Sequence, residues 1–88
     1  MRLAEAEAYR RLVQAARSVD PALAVDRGSV HWVDDPYPGA AFGLALGGAH
    51  ALLFAPEADI AGPDWPARLV SRLEAARDYL LGFAPAAR

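Results

Sequence analysis

The chain has 88 residues and a mass of 9.4 kDa, with 55% hydrophobic and 23% charged residues, a balance that excludes an intrinsically disordered chain and leaves room for one small domain with one modest core. The lack of cysteine excludes disulfide staples and thiolate zinc sites. The formal net charge of −2 carries no hint of the basic stripe that nucleic-acid binders usually show.

No apolar run reaches the roughly 18 residues of a membrane span. The opening MRLAEAEAYR holds acids and no apolar stretch of the signal-peptide kind. A soluble, cytoplasmic domain over 1–82 is therefore expected, with a short tail over 83–88. All nine cations are Arg, and Lys, Asn and Thr are missing. Abundant Ala beside scarce residues with A-rich codons points to a GC-rich genome, so the missing Lys carries no functional message.

Residues 2–18 read as a helix of strong helix formers, with Tyr9, Leu12, Val13 and Ala16 on one apolar face. Asp20-Pro21 stops it, because a residue before proline avoids helical geometry. Residues 22–25 and 29–33 read as two short strands joined at Arg27-Gly28. A two-residue loop there pairs Val25 with Val30 and Leu23 with Trp32, and it gathers all four side chains on one face. Asp35-Pro36-Tyr37-Pro38-Gly39 is a rigid turn region.

Residues 40–46 and 49–55 form a second hairpin around Gly47-Gly48. Its register sets Leu46 against Ala49, Leu44 against Ala51 and Phe42 against Leu53. The other face holds Ala41, Gly43 and Ala45 opposite Phe54, Leu52 and His50, so both faces are apolar. Residues 56–63 read as a loop. Asp64 is the expected N-cap of a last helix over 65–81, with Leu69, Val70, Leu73, Ala76 and Leu80 as its stripe, Pro66 in its first turn and Gly82 at its end. The expected fold is thus α+β: an N-terminal helix, a four-stranded antiparallel meander and a C-terminal helix, both helices on one sheet face.

Segment 29–63 has no cation and four acids, Asp34, Asp35, Glu57 and Asp59. In a meander, strands two apart run parallel, so both acidic pairs leave the sheet at the same end, about 9–10 Å apart. They could chelate a hard cation such as Mg²⁺, or they could simply solvate a loop-rich edge. Helix, three-strand meander and helix is an order that resembles the opening of the restriction-endonuclease-like nuclease core. The E-x-K triplet of that core is missing here, and arginine cannot replace a lysine base.

The remaining polar residues form no constellation. His31 and His50 lie toward opposite ends of parallel strands, so no shared metal site is expected. Ser18, Ser29 and Ser71 lie outside any G-x-S-x-G elbow. The glycines of 43–48 lack the Lys-Ser/Thr of a phosphate loop. Arg68 and Arg72 read as a solvated helix face, with Asp64 as the partner of Arg68.

No catalytic residues, metal or cofactor are therefore assigned. The reading is a protein-interaction module of adaptor, chaperone, antitoxin-like or inhibitor type. Asp34, Asp35, Tyr37, Glu57, Asp59 and Trp65 are its candidate binding residues. A homodimer is expected through Ala41, Gly43, Ala45, His50, Leu52 and Phe54, because a large exposed apolar patch is unusual on a monomer. Neither nucleic acid nor a membrane is an expected partner. The competing reading is a metal-dependent phosphodiester hydrolase, or a degenerate nuclease-like domain, built on the acidic end.

Overall fold

A computed structural model describes residues 2–82 of the chain; the tail expected over 83–88 lies outside them. The elements are α1 (Glu5–Val19), β1 (Ala24–Val33), β2 (Gly39–Leu46), β3 (Ala49–Pro56), the short α2 (Glu57–Ile60) and α3 (Trp65–Leu81). The fold is α+β, with a three-stranded antiparallel meander in the order β1-β2-β3.

The expected fourth strand does not exist. Residues 22–25 and 29–33 are not two strands of a hairpin, because Ala24–Val33 is one strand with a bulge in its middle. Between the pairs Asp26–Gly43 and His31–Ala41, β1 advances five positions while β2 advances two. The extra residues stay on one strand because their polar groups are satisfied locally. Asp26 Oδ1 accepts from the Gly28 N–H at 3.1 Å, and the Ser29 hydroxyl donates to the Asp26 carbonyl at 2.7 Å. The Gly43 N–H of β2 then donates to Ser29 Oγ at 2.6 Å, filling the gap in the ladder. Gly28 also lacks the positive φ that a tight hairpin turn uses. An odd number of inserted residues flips the side-chain alternation. Val25 and Trp32 therefore share the buried face, as the hairpin was meant to arrange.

The second hairpin has the expected register from Gly39–Pro56 through Leu46–Ala49, closed by a turn in which Gly47 takes φ of 61°. Within it, Ala40, Phe42, Leu44 and Leu46 are buried and alternate with half-exposed Ala41, Gly43 and Ala45. Leu12, Ala15 and Ala16 of α1, Leu69, Leu73 and Leu80 of α3, Ile60 of α2, and Trp32, Phe42 and Leu44 of the sheet form one continuous core. α3 packs against α1, β3 and β2, and α1 packs also against β1.

The first helix begins at Glu5 rather than residue 2. Asp20 ends it in extended geometry, with its carboxylate accepting from the Ala22 N–H at 2.8 Å. The loop expected over 56–63 contains α2. Asp64 stands at the N-cap of α3 without a side-chain capping bond, and Gly82 closes that helix in right-handed geometry.

Candidate functional site

The acidic residues do leave the sheet at one end. β1 and β3 both run antiparallel to β2 and therefore parallel to each other, and the Glu57 N–H donates to the Pro38 carbonyl at 2.9 Å, tying the two exits together. Their carboxylates are nevertheless engaged separately. Asp34 accepts from Trp32 Nε1 at 3.1 Å and pairs with Arg2 at 3.4 Å. Asp35 is exposed in the turn, joined to Pro36 by a cis peptide bond. Glu57 opens α2 and is half-buried.

Asp59, with a side chain only 15% exposed, accepts from Arg72 at 2.6 and 2.9 Å and pairs with Arg68 at 3.4 Å. Although segment 29–63 has no cation of its own, Asp34 and Asp59 are thus met by arginines. The cations come from α3 and the N-terminal segment, outside the cation-free stretch. Arg68 also pairs with Asp59 rather than with Asp64. Among the described residues, no three histidines or acids gather in a way that could hold a metal ion.

The two aromatic candidates differ. Tyr37 is 54% exposed and meets the Phe54 ring edge-on at 5.3 Å between centroids. Trp65 is not a free loop aromatic: it packs against the core at the start of α3 with the Arg11 guanidinium 4.8 Å above its ring. Arg11 also donates to the Ile60 carbonyl at 2.9 Å and to Glu7 at 2.8 Å, so one side chain joins α1, α2 and α3. Hydrogen bonds from Arg10 and Arg11 hold the Glu7 carboxyl down at a pKa of about 2, well below its usual 4.5.

On the sheet side away from the core, Leu52 is 84% exposed and His50 is exposed. Ala41, Gly43 and Ala45 are half-exposed beside them. Phe54 is better covered, because its ring lies over Gly39, where a Cβ would collide with it. A groove of about 540 Å³ runs along the free edge of β3, between Leu53 and Phe54 on one bank and Arg68, Ser71, Arg72 and Ala75 on the other. Sequence reasoning missed this edge, although the last strand of a meander is an edge by topology and β3 carries no acid, Lys or Arg. The arrangement offers an apolar surface and outward backbone groups.

Compared with known proteins, the chain matches no family model, no curated protein and no solved structure. No described helix is long and apolar enough to cross a membrane.

Proposed function

We propose that this chain is a non-catalytic protein-interaction domain that assembles through its sheet with a second copy of itself. With both helices taken by one sheet face, the residues Ala41, Gly43, Ala45, His50, Leu52 and Phe54 on the other are its docking surface, and Leu52 is its centre. The observation that carries this reading is Leu52, a large apolar side chain 84% exposed opposite Gly43. Burying such a side chain against a partner contributes about 1.5–3 kcal/mol per copy. The phosphodiester-hydrolase reading has less support, since one of its acids, the half-buried Asp59, is already neutralised by two arginines. Light scattering on the full chain tests the proposal: a mass of two chains at micromolar concentration supports it, and one chain at high micromolar concentration overturns it.

A further inference from the structure

We infer that the two copies pack face to face about a two-fold axis over Gly43 and Ala45, with Leu52 against Leu52 and with His50 of each copy against Asp26 of the other. This rests on the proposed assembly through the sheet; it adds Asp26 to that surface and makes the assembly sensitive to pH.

The strand register lays out the outer face in rows. Asp26, Gly43 and Leu52 stand side by side across β1, β2 and β3, and Ala24, Ala45 and His50 form the next row. A hollow of about 350 Å³ lies over these rows. Gly43 and Ala45 are its floor, Asp26 is its β1 bank, and His50 and Leu52 are its β3 bank. Gly43 keeps the floor open, since a Cβ there would stand 3.2 Å from Ser29 Oγ and 3.5 Å from Asp26 Cβ.

The two banks carry complementary groups that a single copy leaves unpaired. Asp26 Oδ1 accepts from the Gly28 N–H at 3.1 Å, and the carboxylate has no ion-pair partner among the described residues. Its neighbour Arg27 turns toward α1, with its guanidinium 5.3 Å from the Tyr9 ring centroid. His50 is exposed, and its ring has no hydrogen bond among the described residues. Within one copy Asp26 and His50 lie on strands two apart, at least about 9–10 Å across the sheet, too far to meet. From α3, His50 is approached by Tyr79, a phenol, while the adjacent Asp78 is engaged by Arg77 at 3.2 Å. His31 stands in the far row with Ala41 and Phe54, its Nδ1 2.8 Å from the Ser29 carbonyl.

A hollow with an acid on one bank and an imidazole on the other is complementary to itself. A two-fold axis in the plane of the interface, inclined to the strands, lays the β3 bank of each copy over the β1 bank of the other. His50 then reaches the Asp26 of the other copy, and Leu52 lies over its Gly43, beside the second Leu52. An axis square to the strands would keep β1 over β1 and gather both carboxylates on one side, which like-charge repulsion opposes. The strands of the two copies cross steeply, one of the two ordinary arrangements of face-packed sheets. The contact uses the same patch on both copies, so it closes at two.

Two symmetric His–Asp pairs couple assembly to protons. Histidine takes up its proton between about pH 8 and 5. A carboxylate beside the ring favours the protonated form. The dimer therefore holds that proton more tightly than the single chain, and association tightens as pH falls through this range.

Sedimentation equilibrium of the full chain at about pH 6 and about pH 8 tests the pairing. The wild-type dimer is expected to be about tenfold tighter at the lower pH. Asp26→Asn keeps a side-chain oxygen for the Gly28 N–H, so the bulge persists, and it is expected to remove the pH difference. His50→Arg is expected to dimerise equally tightly at both pH values. His50→Asp, which sets like charges face to face, is expected to weaken the dimer at least about tenfold, and Asp26→Asn added to it to recover most of that loss. That pattern supports the pairing. A dimer no tighter at the lower pH, or one whose pH difference survives Asp26→Asn, overturns the pairing while leaving assembly through the sheet intact. A wild-type chain that stays monomeric at both pH values overturns both.

Discussion

Arg72 and Asp59 face each other across the foot of the sheet, with Nη2 and Nε of the guanidinium 2.6 and 2.9 Å from a single carboxylate oxygen. Arg68 approaches the other oxygen at 3.4 Å. Two guanidinium groups neutralise this carboxylate, and a metal ion would have to displace them. The carboxylate acts as a clasp holding the α2 turn against α3. Millimolar Mg²⁺ should therefore leave the melting midpoint unchanged. Asp59→Asn should lower stability by roughly 1–2 kcal/mol, the range for a charge-assisted bond to a half-exposed partner. Calorimetry with and without the metal checks both; a midpoint that rises with Mg²⁺ and stops rising in Asp59→Asn would restore the metal-site reading.

Glu7 supplies a pH dependence with a definite sign. Its folded pKa, about 2, lies below its ordinary 4.5 because Arg10 and Arg11 donate to the carboxylate. The folded state thus favours the ionised form. The stabilisation is fully present above about pH 4.5 and is lost as pH falls toward 2. Acid unfolding of a Glu7→Gln variant should be flatter than wild type across that window, and an NMR titration of the Glu7 carboxyl should show its midpoint near the bottom of it.

Leu73 is fully buried at the centre of the core. Leu73→Ala should cost about 2–5 kcal/mol. A domain of this size holds only about 5–10 kcal/mol in all, so the variant should be near unfolding at room temperature. Urea denaturation of the two chains measures the difference directly; an unchanged midpoint would mean that α3 is not docked as described.

The helices and the second hairpin were legible because their signals are local. The Leu69, Leu73, Ala76 and Leu80 stripe and the Gly47-Gly48 turn leave little choice of period or register. The first hairpin was misread for a physical reason. Leu23 and Val25 are out of phase with Val30 and Trp32, and either a tight turn or a bulge restores the phase. What decides between them is Ser29 Oγ bridging to the Gly43 N–H, a contact fourteen residues away in sequence. The acidic end was legible as a place and illegible as chemistry. That Asp34 and Asp59 would be met by Arg2 and Arg72 depends on tertiary folding, which no local pattern encodes.

That bridge makes Ser29 testable. Ser29→Ala removes its bonds to the Asp26 carbonyl and the Gly43 N–H and should cost about 1–2 kcal/mol. It also makes Gly43→Arg a poor probe of assembly, because a Cβ at Gly43 stands 3.2 Å from Ser29 Oγ. Thermal denaturation should show Gly43→Arg destabilised in its own right, beyond any effect on association.

Leu52 provides the clean probe, since its side chain is 84% exposed and its loss removes little from the fold of a single copy. Sedimentation equilibrium of wild type and Leu52→Arg over low to high micromolar concentration is the most direct measurement of assembly through the sheet. The expected result is a wild-type dimer and a Leu52→Arg monomer with the same circular-dichroism spectrum and a nearly unchanged melting midpoint at low concentration. A wild type that stays monomeric throughout, or a Leu52→Arg chain that dimerises as tightly as wild type, would contradict it.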